Sequence, residues 1–341
     1  MYNIKITLPS QKDNITFDNF YDMSNQKLKN YRFHINKDIE QADFWFVFED
    51  LKLNTEFCKV PKNNVIYLNN ETSFKKDYFF QPYMRKYLEQ FQEVRSCYLS
   101  PHPKTKNNIP FLPWMIHANH GSTIYDKSSY NFKYFQELKQ LEKTKKISVI
   151  CSNKVHTDNH HLRVEFLKKL KLHFGDQLDW YGNGVNEIKH KYEGIFDYKY
   201  HIVLENDSRK NLISEKLFDS MLGLSLPIYY GAPNIFEYFD KNSLYTIDIN
   251  DIDTSIETIE NILKNDNYEE YLDNLIESKD KILKEYNFLN RIIEIIETNK
   301  NIKLNNQEFI YSLNSSKYYW KKFVSYKLKI KRTLKRRLRI N

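Results

Sequence analysis

Glycine is scarce in this chain, 7 in 341 residues, and cysteine is scarcer at 3. The glycine shortage goes with abundant Asn, Lys, Ile and Tyr, a pattern of coding bias from which no function follows. Gly182 and Gly184 form a Gly-x-Gly pair, but no third glycine completes a dinucleotide fingerprint. Cys58, Cys97 and Cys151 lie far apart with no Cys-x-x-Cys, which argues against a zinc site and against a disulfide scaffold. Two groups of histidines, His102, His117 and His120, then His156, His160 and His161, match no metal-site spacing. No window approaches 18 consecutive apolar residues, so no transmembrane helix is expected. The first residues carry no basic stretch leading into an apolar run, so no secretory signal is expected. Together these absences predict a cytoplasmic, disulfide-free protein.

What is present is a globular composition, 41% hydrophobic and 16% aromatic, in a chain long enough for two domains with a core each. NIKITL (3–8), ADFWFVFED (42–50), NNVIYLNNE (63–71) and Cys97–Leu99 read as strands, with Pro61 and an Asn pair marking a loop. The aromatic and basic stretch 74–91 reads as helical in part despite Pro82. This alternation predicts an α/β domain over 1–145, closed by the charged stretch LEKTKKIS. ISVICSN (147–153) opens a second domain, 146–300. A helix follows from near His160, with Leu162, Phe166, Leu167 and Leu170 on one face. DWYGNGV (179–185) and SLYTIDIND (243–251) read as further strands, and Ile256–Lys300 as helical packing.

The most informative stretch is 198–240. YHIVLEN (200–206) is apolar enough for a buried strand, and DSRKN (207–211) is a polar loop. Ile213, Leu217, Met221 and Leu222 then recur at helical spacing up to Gly223. LPIYY (226–230) is a second strand, broken by Gly231-Ala232-Pro233. Strand, loop, helix, strand is half of a parallel nucleotide-binding sheet, whose ligands sit at the carboxyl ends of the strands. Ser214-Glu215-Lys216 falls in the first turn of the helix, where backbone N–H groups favour anions. A Lys there suits a phosphate and a Glu suits a ribose diol. Taken alone, an amphipathic helix with a solvated Glu-Lys pair is the commoner outcome.

The order of residues decides otherwise. Glu205-Asn206, Ser214-Glu215-Lys216-Leu217, Pro227-Ile228, Gly231-Ala232-Pro233 and Tyr238-Phe239 together resemble the donor-site motif of the α1,3-fucosyltransferases, glycosyltransferase family 10. The resemblance covers roughly residues 40–250 and implies a GT-B fold, two Rossmann-like domains facing a cleft. It also implies inverting transfer of fucose from GDP-fucose to a glycan hydroxyl. On that basis Glu71, just past a strand, is the general base, with Asp50 the competing carboxylate. Asn153, Arg163, Glu205, Asn206, Ser214, Glu215 and Lys216 bind the donor. Trp114, in Leu112-Pro113-Trp114, is a candidate for the acceptor side. Basic side chains and a helix N-terminus stabilise a phosphate leaving group unaided, so no metal or other cofactor is expected. Many relatives place an aromatic residue three positions before the Glu of this element; here it is Leu212. The alternatives are a GT-B transferase using another GDP- or UDP-sugar, or a non-catalytic membrane- or RNA-binding protein. A Golgi-resident relative would carry an anchor and stem that are not seen here.

The C-terminal region, 301–341, reads as a separate helical tail. From Lys317 to Asn341 there are eleven Lys/Arg and no acids, so the rest of the chain has a net charge of −3 out of the overall +8. Phe323, Tyr326, Ile330, Leu334 and Leu338 recur at helical spacing among these charges. This pattern predicts a helix on an anionic membrane surface, peripheral on its inner face. A solvated end and nucleic-acid binding are the rivals, and no nucleic-acid partner is expected.

Overall fold

The computed structural model of the chain describes residues 1–8, 26–69, 78–98, 100–107, 130–155, 158–299 and 308–337. These divide into two compact units. One takes the residues up to 107 together with those from Thr298 on, and the other takes 130–297.

The first unit holds β1 (Tyr2–Thr7), β2 (Tyr31–Ile35), β3 (Phe44–Phe48), β4 (Thr55–Pro61), β5 (Val65–Asn69), helix α1 (Pro82–Leu88), β6 (Glu93–Ser96) and β7 (Thr105–Asn107). Six of the strands form a parallel sheet in the order β2-β1-β3-β5-β6-β7. FWFVF of β3 and VIYLN of β5 are buried at every position. A parallel sheet covered on both faces requires such unbroken apolar runs, which is why they carry no alternation. The strand expected at Cys97–Leu99 lies just upstream and ends at Ser96. Pro82, which looked like an obstacle, stands at the start of α1, where its missing N–H has no intrahelical partner to lose.

The second unit holds α2 (Phe132–Glu137), β8 (Lys145–Ile150), α3 (Asp158–Phe174), β9 (Leu178–Tyr181), β10 (Tyr198–Leu204), α4 (Glu215–Leu222), β11 (Leu226–Tyr230) and β12 (Tyr245–Thr246), then α5 (Ile252–Asn265), α6 (Tyr268–Lys284) and α7 (Phe288–Asn299). Its five strands are parallel in the order β12-β11-β10-β8-β9. Two expectations are corrected in detail. Of SLYTIDIND only Tyr245 and Thr246 join the sheet, and Asp251 then caps α5 by accepting from Thr254 N (3.2 Å). The helical stretch from Ile256 breaks at Asp266, whose left-handed backbone (φ 47°) ends α5. Within this unit α2 packs against α6, where the buried Lys279 donates to Phe135 O (2.5 Å).

The C-terminal residues belong to the first unit. β13 (Phe309–Asn314) pairs antiparallel with β4, and α8 (Ser316–Arg337) packs on α1, with Phe323 and Tyr83 ring centroids 6.3 Å apart. The sequence places a loop here on Pro61 and the Asn pair, whereas Thr55–Pro61 is a strand. In the structure Glu56, Cys58 and Val60 face inward while Phe57 and Lys59 face out. Among the described residues no helix is long and apolar enough to cross a membrane.

One buried group sets a pH dependence for the second unit. His201, in the middle of β10, is 4% exposed. The Ser148 hydroxyl donates to Gly194 O (2.6 Å), so its oxygen accepts from His201 Nδ1–H (2.8 Å). Burial, then the charges of Lys191 and Lys143, hold the imidazole down at about 3. The unfolded chain, with an ordinary histidine near 6.5, therefore binds more protons between those two values. Stability from this group is complete above pH 6.5 and is lost as the pH falls toward 3. Denaturant unfolding should show a loss of about 2 kcal/mol between pH 7 and pH 5 from this histidine. His201→Gln should flatten that slope.

Candidate functional site

The order β12-β11-β10-β8-β9 fixes where a ligand belongs. From β8 the chain moves outward to β9, then returns across β8 to β10 and continues the other way through β11 to β12. The strand order reverses between β8 and β10, and a crevice opens outside the carboxyl ends of two strands whose connections diverge. The segment after β8 carries Asn153, and the segment after β10 carries Glu205, Asn206 and Ser214.

Glu205 is 1% exposed. Its Oε1 accepts from Ser214 N (2.7 Å) and its Oε2 from Ser214 Oγ (2.7 Å). Ser214 is the N-cap of α4: its Oγ accepts from Lys216 N (3.3 Å) and from Lys216 Nζ (3.0 Å). The capping hydroxyl satisfies one of the orphan donors of the first turn, and the carboxylate behind it fixes the hydroxyl. Glu205, expected as a donor contact, has both oxygens engaged by Ser214. Lys216 is partly exposed, 3.6 Å from Glu205 Oε2 and 3.5 Å from Glu215 Oε1. Asn206 follows Glu205, half-buried at the start of the loop.

Arg163 arrives from the other side of the crevice. It sits in the second turn of α3, because the helix runs from Asp158 and not from near His160. The side chain is 6% exposed and donates from Nη1 to Leu204 O (3.2 Å), at the carboxyl end of β10. Its Nε has no hydrogen-bond partner among the described residues. A buried guanidinium with an unused donor is suited to an anion that arrives later. Burial pushes the Cys151 thiol up, while Arg163 and Lys216 both pull it back. Arg163 bonds to Leu204 O and Lys216 lies 3.6 Å from Glu205 Oε2, so both cations stand at the carboxyl end of β10. Asn153 is exposed and donates from Nδ2 to Gly184 O (2.8 Å). Gly184 has φ +77°, and a Cβ there would fall 2.5 Å from Asn153 Oδ1, so this glycine keeps the asparagine in place.

The loop between β10 and α4 is locked from β11. Asn211, left-handed at φ 67°, donates its N–H to Asn234 Oδ1 (2.8 Å) and accepts at Oδ1 from Asn234 Nδ2 (2.8 Å) and the Tyr238 hydroxyl (2.5 Å). A Cβ on Gly231 would meet Tyr229 Oη at 2.2 Å and Glu205 Cγ at 2.6 Å. That close approach is what Gly-x-Pro after β11 provides. Leu212 is 3% exposed; its side chain is buried, and its carbonyl accepts from Tyr229 Oη (3.3 Å). Sequence reasoning missed Asn211, Asn234 and Tyr229; their only signal was the Pro-Ile…Gly-x-Pro…Tyr frame itself.

The rest of the predicted set is placed unevenly. Glu71 and Trp114 lie outside the described residues, as do His117, His120 and His156. Asp50, the rival for the base, caps α8: it accepts from Ser316 N (2.9 Å) and Ser316 Oγ (2.6 Å). Among the described residues no three His, Cys, Asp or Glu gather as a metal site would need. The Asp251-Ile252-Asp253 triplet, an Asp-x-Asp, opens α5, and Asp251 serves there as its cap.

With this geometry in view, residues 140–292 match the family described as glycosyltransferase family 10 (fucosyltransferase), C-terminal domain. The domain belongs to family 10. It contains β8 to α6, hence the whole crevice. The chain is 29% identical over 92 residues to the α-(1,3)-fucosyltransferase FucT of Helicobacter pylori, 27% of this chain and 19% of that protein. It is 24% identical over 243 residues to a candidate fucosyltransferase of Acanthamoeba polyphaga mimivirus, 70% of this chain and 35% of that one. The matches thus span a fifth to about a third of those relatives' length. Two crystal structures of an α1,3-fucosyltransferase share the fold. One has a TM-score of 0.52 at 18% identity over 91% of both chains; the other, with GDP, has 0.50 at 17% identity over 89% of this chain and 91% of that one. The expected GT-B class, with two Rossmann-like α/β units, is the fold of this chain.

If the Glu205–Ser214 contact anchors the α4 terminus of this family 10 domain, Ser214→Ala removes a cap and the hydroxyl donor to Oε2 of a buried carboxylate, leaving the backbone N–H on Oε1. The expected loss is about 2–3 kcal/mol, above the ~1 kcal/mol of an ordinary cap. Chemical denaturation of wild type and variant measures it; a loss within that of a surface cap would refute the anchor.

Proposed function

We propose that this chain is an inverting glycosyltransferase that moves fucose from GDP-fucose to a hydroxyl of a glycan acceptor. The observation that carries the reading is the convergence of Arg163 and Lys216, with the capped N-terminus of α4, on the switch point of a family 10 domain. Two cations and a helix dipole aimed at one crevice suit a nucleoside diphosphate as leaving group. In this reading Glu215 holds the ribose diol, and Asn153, Asn206 and Ser214 order the loops around it. Glu71 takes the proton of the acceptor hydroxyl as its oxygen attacks the anomeric carbon. The bond to the diphosphate breaks on the opposite face, and the charge that develops on GDP is met by Arg163 and Lys216. Trp114 contributes on the acceptor side. No metal is required for this route, because the leaving group is neutralised by side chains.

A transferase using another GDP- or UDP-sugar is the second reading, because Leu212 is buried and offers no ring to the donor. Calorimetric titration with GDP-fucose, GDP-mannose, UDP-galactose and UDP-N-acetylglucosamine without divalent metal separates the two. Saturable binding of GDP-fucose alone is expected, and preference for another sugar would replace the donor. Glu71→Gln should lower kcat by roughly 10²–10⁴ with donor affinity unchanged.

The outer part of α8 is proposed to lie on an anionic membrane surface, on the cytoplasmic side. Tyr326, Leu328 and Ile330 are exposed beside Lys327 and Lys329. Since Phe323 packs on α1, the informative truncation falls after Val324. It should release the protein from vesicles containing phosphatidylserine while leaving transfer to a soluble acceptor intact. Retained vesicle binding would end the membrane role.

A further inference from the structure

Beside the donor crevice, Asp219 of α4 is buried at 1% exposed, one turn beyond Glu215. Lys191, from the turn between β9 and β10, reaches both carboxylates. Its Nζ lies 2.8 Å from Asp219 Oδ2 and 3.5 Å from Glu215 Oε1. Glu215 Oε1 is also 3.5 Å from Lys216 Nζ, which in turn is 3.6 Å from Glu205 Oε2. Charges of alternating sign thus follow one another: Asp219, Lys191, Glu215, Lys216, Glu205. The Lys191 side chain is 16% exposed. Burial lowers its pKa, but Asp219 and Glu215 together outweigh that and the net direction is upward, so the ammonium stays charged.

We propose that Lys191 is a positioning residue of the donor site, fixing the Glu215 carboxylate for the ribose diol and leaving Lys216 to the diphosphate. This rests on the donor reading above. A diphosphate brings negative charge to a cluster that already holds three carboxylates against two ammonium groups. With Lys191 in place the Glu215 charge is offset from behind, so Lys216 can turn to the phosphates without exposing Glu215 to them. Remove Lys191, and Glu215 draws on Lys216 while repelling the incoming anion.

The test compares GDP with 2′-deoxy-GDP by calorimetry, because a carboxylate on the ribose diol distinguishes them. Wild type should prefer GDP by about tenfold or more, the effect of one hydrogen bond to a charged group. Lys191→Met alone removes the ion pair of the buried Asp219, so it is combined with Asp219→Asn; folding is checked by a cooperative melt. The pair should lose about tenfold in GDP affinity and most of the preference over 2′-deoxy-GDP. Donor KM should rise with kcat at saturating donor within about twofold, and Lys191→Arg should keep both affinity and preference. If the pair does not fold, Lys191→Gln, which keeps a polar group facing the Asp219 side, takes its place with the same outcomes.

A folded variant that keeps wild-type affinity and preference overturns the role of Lys191, provided Lys216→Ala abolishes GDP binding. If wild type binds no GDP, or Lys216→Ala binds it unchanged, the donor reading falls and Lys191 with it.

Discussion

The grip of Glu205 on Ser214 is the contact around which the crevice is arranged. It spans nine residues of chain, closes the loop that leaves β10, and sets the first turn of α4 against the strand ends. Three neighbours take their position from that closure. Lys216 bonds to the same hydroxyl, Gly231 has no side chain because Glu205 lies against it, and Tyr229 ties the loop carbonyl at Leu212. A buried carboxylate is tolerable only when its oxygens are met by donors, and here the donors belong to the element that must be positioned.

The site also divides into groups that keep an unused or exposed cationic donor and groups whose polar atoms are spent on one another. Arg163 has a donor to spare, and Lys216 is partly exposed. Asn211, Asn234 and Tyr238 use their polar atoms on one another. That pattern is what pre-organised recognition requires, since side chains locked by hydrogen bonds need not be ordered again when an anion arrives.

Much of this was legible in the sequence, and the limits have physical causes. β3, β5, β10 and β11 were plain because strands buried on both faces must be continuously apolar. The donor segment was legible from Glu205 to Phe239 because turn, cap and close-approach residues each have few substitutes. Edge strands were not. β2, β4, β7 and β13 are short or polar on one side and are defined by partners far along the chain, as Thr55 is by Asn314. The contact of Asp50 was hidden for the same reason: the helix it caps lies 266 residues later in the chain. Lys191 and Asp219 left no trace, because an ion pair across two elements has no spacing rule.

That cap has a further consequence. Asp50 pins the first residue of α8 to the end of β3, and Phe323 seats the next two turns on α1. Beyond Val324 the helix continues to Arg337, a reach of about 20 Å at the rise of an α-helix. A rod clamped at one end behaves as a strut with a set angle, unlike a tether that swings. Whatever surface meets its far end is therefore met by the first unit at a restricted tilt and stand-off, so the helix would dictate orientation as well as attachment.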